Sequence, residues 1–294
     1  MFSVDGDASG ALPPTSELDG LQLSDDDAGS DYDRAADMNR APEHTPQQIG
    51  ALLLDLYTFL TTLHYDPADL KLPPAGGWPG LTPASCAHFR GDYALQVLRH
   101  LPFLSNGSGS GSKPQNLHYQ CEVLDYTALD HDWFVGHHHD NDREEWWSTL
   151  SQVPADWMLP LALGFGRDAS NFYLNVIDSE VCEYSMGYES PKPLEAWVAE
   201  MKDLYTRLRL IPCDGRLLLE CKDVADSTRR IGEDEFRAED GYFPTDLDVQ
   251  FVRQVYREYG WPSAFRYGEA MAYLLPLLDE IAENNNDRWW MDVY

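Results

Sequence analysis

Residues 171–208, NFYLNVIDSEVCEYSMGYESPKPLEAWVAEMKDLYTRL, contain both of the periods from which the fold class is read. Between Asn171 and Asp178, and again between Val181 and Met186, the pattern is that of two half-buried strands, with Asp178-Ser179-Glu180 as the turn between them. From Leu194 the period changes. Leu194, Trp197, Val198, Met201, Leu204, Tyr205 and Leu208 recur at three- and four-residue spacing, which predicts an amphipathic helix over about 194–209. The stretch thus reads as a hairpin followed by a helix.

Working toward the N-terminus, Leu117, Tyr119, Cys121 and Val123 alternate as one further strand. Ile49, Leu52, Leu53, Leu56, Leu60 and Leu63 make a helical stripe over about 46–64, opened by Thr45 as cap and Pro46 at the first helical position. Thr82-Pro83 repeats that signature, and Leu95, Leu98 and Leu101 to Leu104 predict a second helix ending near Pro102. Between the two helices Leu72 to Gly80 is too rich in Pro and Gly for regular structure and reads as a loop anchored by Trp78. Ser105 to Ser112 alternate Gly and Ser so strictly that they read as a linker standing in for a longer loop. Toward the C-terminus, Leu217 to Cys221 reads as a strand and Glu233 to Asp248 as an acidic loop. Phe251, Val252, Val255, Tyr256 and Tyr259 stripe one helix, and Tyr267 to Ile281 form another that contains Pro276.

The chain thus divides into three regions: a disordered acidic tail over 1–44, an α+β core over 45–222, and an acidic loop with C-terminal helices over 223–294. The whole carries fifty Asp and Glu against twenty-one Lys and Arg, a net charge of −29. Such a surface repels nucleic acid and anionic membrane and steers basic partners toward itself, and it also confers solubility. In the tail, Ser24 precedes Asp25, Asp26 and Asp27, and Ser30 precedes Asp31 and Asp33, the context an acidophilic kinase selects. These acids, together with Glu144, Glu145, Trp146 and Trp147, are the expected partner-binding residues, because Trp beside acid suits an incoming Arg. No run of apolar residues is long enough to span a bilayer and no signal peptide opens the chain, so the expected location is cytoplasmic or nuclear. The five cysteines are odd in number, widely spaced and without a C-x-x-C pair, and read as reduced thiols.

The segments Leu101-Pro102-Phe103-Leu104, Val153 to Ala162, Asn171 to Ile177, Val181 to Tyr184, and the helix with Trp197, Val198 and Leu204 resemble the SUKH superfamily, which includes the fungal Smi1/Knr4 proteins. The resemblance covers about residues 45–222. It implies an α+β fold, a mixed sheet packed by helices and used for binding, with the C-terminal helices as an addition, and it brings no catalytic residues and no cofactor. The expected function is that of a non-enzymatic, protein-binding regulator or scaffold; an acidic escort for a very basic client, such as a ribosomal protein or histone, is the alternative within binding.

The rival class is a metal-dependent enzyme. His131, His137, His139 and Asp140, with Asp130, Asp132, His138 and Asp142 close by, have the chemistry of divalent-metal ligands. Consecutive histidines cannot all face one ion in a regular element, which favours a solvated loop. Gly164 to Asp168 lacks the ending of a phosphate-binding loop and reads as a turn between strands.

Overall fold

The computed structural model describes residues 40–105, 115–138, 153–165, 169–185, 188–213, 218–239 and 245–284. By contacts the chain divides into Met1–Ala41 and Pro42–Tyr294, and the described helices and strands belong to the second of these units.

Helix α1, Pro46–Thr61, begins where the sequence places it. Gln48 N donates to Thr45 Oγ1 and Thr45 N donates to Gln48 Oε1 at 2.8 Å, a reciprocal capping box that satisfies two orphan donors. Ile49, Leu53, Leu56 and Leu60 are fully buried along one face. Strand β1, Leu70–Lys71, comes next, and the Leu72–Gly80 loop is anchored as expected, with Trp78 Nε1 donating to Leu101 O at 2.9 Å. Gly77 turns this loop with φ +76°, where a Cβ would press on Arg99. The Thr82-Pro83 signature does not start a helix. Thr82 and Ser85 exchange backbone-to-hydroxyl bonds around a single turn, and Ala87 and His88 then take left-handed φ values of 48° and 53°. Helix α2 starts only after Gly91 and spans Asp92–His100.

Strand β2, Phe103–Leu104, pairs antiparallel with β1. The principal sheet has six strands in chain order: β3 Asn116–His118, β4 Cys121–Val123, β5 Met158–Gly164, β6 Asn171–Asn175, β7 Glu180–Ser185 and β8 Tyr188–Pro193. Every pairing in it is antiparallel, rather than the mixed pattern expected, because hairpins join most of its neighbours. The expected single strand over 117–123 is itself a hairpin. Gln120 takes φ +48° and folds His118 opposite Cys121, so the apolar alternation runs unbroken through a turn. Edge strand β8 carries Pro191 and Pro193, which remove donors from the open side. Between β4 and β5 lies α3, His131–His138.

One face of the sheet contributes Leu159, Leu161, Phe172, Leu174 and Val181 to the main core, while Met158, Tyr173 and Cys182 form a separate buried cluster, as alternation along the strands requires. Helix α4, Leu194–Thr206, lies on the main core through Leu194, Trp197, Val198, Met201, Leu204 and Tyr205. Strands β9, Leu210–Pro212, and β10, Leu218–Glu220, pair beside β3.

The expected acidic loop over 233–248 contains a short helix, α5, Glu233–Ala238, held by buried Phe236 stacked on Phe251 at 4.1 Å. Helix α6, Asp246–Glu258, opens with a Thr245/Asp248 capping box, and α7, Tyr267–Asn284, carries Pro276 inside it. The apolar faces of α6 and α7 belong to the same core cluster as the sheet and α1. The class is therefore α+β with C-terminal helices.

Candidate functional site

Most cations of the described surface are engaged within the molecule. Lys71 meets Asp125 at 2.6 Å, Arg207 meets Asp203 at 2.8 Å, Lys222 meets Glu220 at 2.7 Å, Arg257 meets Asp226 at 2.8 Å, and Arg237 joins both Glu233 and Glu280. Arg90 and Arg99 donate to main-chain carbonyls instead, Arg90 Nε to Met158 O at 2.8 Å and Arg99 Nη2 to Gly76 O at 3.1 Å. Each exposed pair contributes roughly 0–1 kcal/mol to stability. Their consequence is electrostatic. A paired cation cancels one carboxylate, so the net charge of −29 falls on the acids that remain. Helix starts display several of these: Asp92 on α2, Asp132 on α3, Asp234 on α5 and Asp246 on α6. The helix dipole favours acid at these positions, which places negative charge on the surface at no cost to the fold. Glu233 is held below the usual carboxylate range by its bond from Arg237, and the Tyr273 hydroxyl donates to it as well.

Of the four candidate metal ligands, only His131 has its side chain among the described residues. Positions 131 to 138 are helical where a loop was expected, and on a helix positions 131 and 137 stand about 120° apart around the axis. Among the described residues no three His, Cys, Asp or Glu side chains gather closely enough to hold a metal ion. His131 is exposed, its Nδ1 lying 3.2 Å from Ser85 O, and Asp130 caps α3 by accepting from Trp133 N at 2.9 Å. His139, Asp140 and Asp142 lie outside the described residues, as do Glu144, Glu145, Trp146 and Trp147, the tail acids Asp25, Asp26, Asp27, Asp31 and Asp33, and both serines, Ser24 and Ser30. So does most of the Gly-Ser linker. Gly164 ends β5, Phe165 N donates to Gln120 O at 3.0 Å, and residues 166–168 of the expected turn lie outside the described residues. None of the five cysteines is in a disulfide; burial raises the pKa of Cys86 and Cys121 and pushes Cys221 up to about 12, which makes these three thiols poor nucleophiles. A small cavity of about 20 Å³ beneath the Thr82–Gly91 turn, lined by Cys86, Phe89 and Leu159 among others, has room for a single water.

The structure also shows buried polar groups that the sequence did not single out. His118, 3 % exposed, stands beside Phe172 with Nδ1 3.8 Å from Glu220 Oε2, and burial lowers its pKa to about 4. His64 stacks on Tyr205 at 5.5 Å; its ring nitrogens are buried, without a hydrogen-bond partner among the described residues, and burial lowers its pKa to about 3. Trp197 Nε1 is likewise buried and without such a partner. In sequence each of the three sits among apolar neighbours and reads simply as core.

Comparison of the chain with family models, with curated proteins and with solved structures finds no match. Among the described residues no helix is long and apolar enough to cross a membrane.

Proposed function

We propose that this chain is a non-enzymatic, protein-binding regulator or scaffold of the SUKH kind, whose acidic surface takes up a basic protein in the cytoplasm or nucleus. The observation that supports it most is the internal engagement of the cations. Lys71, Arg207, Lys222, Arg237 and Arg257 are tied to carboxylates of the same molecule, so an incoming partner meets uncompensated acid. Such a field raises the association rate with a cationic protein and repels nucleic acid and anionic membrane. Phosphorylation at Ser24 or Ser30 would add about 1.5–2 negative charges per site and strengthen the attraction.

The test is a pull-down from native lysate with the full chain as bait, with and without residues 1–44, eluted in salt steps and identified by mass spectrometry. A strongly basic protein should be retained, and the purified pair should then bind more weakly as salt rises. Release of one very basic client at moderate salt would favour the escort form of this function over the regulator. A set of retained proteins with no excess of basic members, or a purified complex indifferent to salt, would overturn the reading.

A further inference from the structure

Residues 225–231, Ala-Asp-Ser-Thr-Arg-Arg-Ile, run from the turn after β10 to the start of α5 in a conformation that is neither helix nor strand, and 225–230 are all exposed. Among the described residues this stretch makes no backbone-to-backbone hydrogen bond. Side chains hold its main chain instead, most of them from one face of α6. Gln254 grips Ile231 from both sides, its Oε1 accepting from Ile231 N at 2.9 Å and its Nε2 donating to Ile231 O at 3.2 Å. Gln250 Nε2 donates to Ala225 O, and Arg253 Nη1 to Val224 O at 2.9 Å. Positions 250, 253, 254 and 257 share one helical stripe.

Side-chain amides that bond both the N–H and the C=O of one residue read an extended backbone whatever its side chains, and neighbouring contacts then select the sequence. Here those contacts are specific. Ile231 is the anchor, only 3 % exposed. Arg230 pairs with Glu258 at 3.0 Å and Arg229 with Glu235, while Arg257 takes Asp226 at 2.8 Å. In a chain of net charge −29, the segment seated in this groove presents two adjacent arginines and an aliphatic anchor.

We infer that the stripe on α6, with Glu235 and Glu258 beside it, is a docking groove for an extended segment of a basic partner bearing two arginines followed by an aliphatic residue, and that residues 225–231 fill it as an intramolecular stand-in until such a segment displaces them. This inference rests on the basic-partner reading above and assigns it a place. The anchor and the backbone grips hold the stand-in, and the exposed Arg–Glu pairs add little to its affinity but set its charge preference. Because the stand-in is tethered, its effective concentration is high, and a free competitor must be present in excess.

The probe is a synthetic peptide of residues 223–232, DVADSTRRIG, titrated into the full chain and into two full-length variants. Ile231→Ala, which removes the tethered anchor, should raise peptide affinity about tenfold over the wild type, and Gln254→Ala should lower it about tenfold in the Ile231→Ala background. Circular dichroism confirms that the variants fold. Hydrogen exchange needs no variant: on the wild type, saturating peptide should speed exchange at the Ile231 amide, the one amide of the stretch that Gln254 holds. Peptide that binds equally to all forms, binds without changing this exchange, or does not bind the folded Ile231→Ala chain overturns the groove. If the basic partner of the pull-down is captured equally by Gln254→Ala, the groove fails and the acidic-surface reading stands. If the peptide behaves as expected while no basic protein is captured, the groove stands as a peptide site and the partner reading fails.

Discussion

Helices α4 and α6 are equally long, thirteen residues each, and are joined to their surroundings by different chemistry. Helix α4 lies on the sheet through Leu194, Trp197, Val198, Met201 and Leu204, a largely non-directional seat whose strength depends on buried area, with one buried bond from the Tyr205 hydroxyl to Leu117 O at 3.0 Å. Helix α6 also buries Val249, Phe251 and Val255, but its position is set by Arg253, which is 1 % exposed. Arg253 Nε donates to Leu208 O at 3.0 Å, Nη1 to Val224 O at 2.9 Å and Nη2 to Cys221 O at 3.0 Å. An apolar seat tolerates small shifts. A guanidinium bonded to three carbonyls does not, because a lost contact leaves a buried polar group unpaired. The first kind of joint suits a permanent core, the second a surface on which the register of a bound segment matters.

Arg253→Met breaks the comparison most severely if α6 is held as described. The long apolar side chain keeps part of the packing, but the carbonyls of Leu208, Cys221 and Val224 lose their donor, and the expected loss is about 4 kcal/mol in urea unfolding. A loss below about 1 kcal/mol would mean that the apolar face of α6 is sufficient by itself. On α4 the corresponding change is Trp197→Ala, with an expected loss of about 3–4 kcal/mol from the cavity it leaves against Phe172. Trp197→Phe sharpens the point. The buried Nε1 has no hydrogen-bond partner among the described residues, so its removal offsets part of the lost volume, and the expected cost is about 1 kcal/mol or less. A cost near that of Trp197→Ala would show that the indole N–H contributes a second polar bond to α4 beside that of Tyr205.

The difference between the joints also explains what the sequence revealed. Helices α1, α4 and α6 were legible because apolar burial imposes a period of 3.6, and the β6–β7 hairpin because it imposes a period of two. Strands β3 and β4 merged into one because Tyr119-Gln120 turns the chain without the Gly or Asn that marks such turns, and Gln120 takes its left-handed φ under tertiary constraint. Helix α5 was missed because it is barely more than a turn with a single buried residue, Phe236, within an acidic run. The seating of 225–231 on α6 was not legible at all. It depends on Gln250, Arg253 and Gln254 meeting carbonyls more than twenty residues away, and no local pattern encodes that encounter. The rival metal reading shows the converse, a local pattern with attractive chemistry, of which the described helix over 131–138 sets positions 131 and 137 about 120° apart around its axis.

Acid separates the two joints by a smaller amount. His64 stacks on Tyr205 of α4, and burial lowers its pKa to about 3, whereas an unfolded histidine titrates near 6.5. Its folded pKa is depressed, so in the interval between the two values the unfolded chain binds the proton and the folded chain does not. Stability is therefore undiminished above about pH 6.5 and falls as pH drops from there toward 3. His118, with its pKa lowered to about 4, works in the same direction through most of that window. Glu233, held below its usual range, responds only in more acidic solution, so the interval from pH 7 to pH 5 isolates the histidines. The Arg253 guanidinium stays charged throughout, and the polar joint of α6 does not sense this change. His64→Phe keeps an aromatic ring against Tyr205 and removes the titrating group. Between pH 7 and pH 5 the variant should lose about 2 kcal/mol less stability than the wild type, measured by urea unfolding at the two values. Equal losses in the two proteins would mean that His64 takes up its proton in the folded state as readily as in the unfolded one, and the acid response of the fold would then rest with His118 beside Glu220, on the β3–β10 side of the sheet.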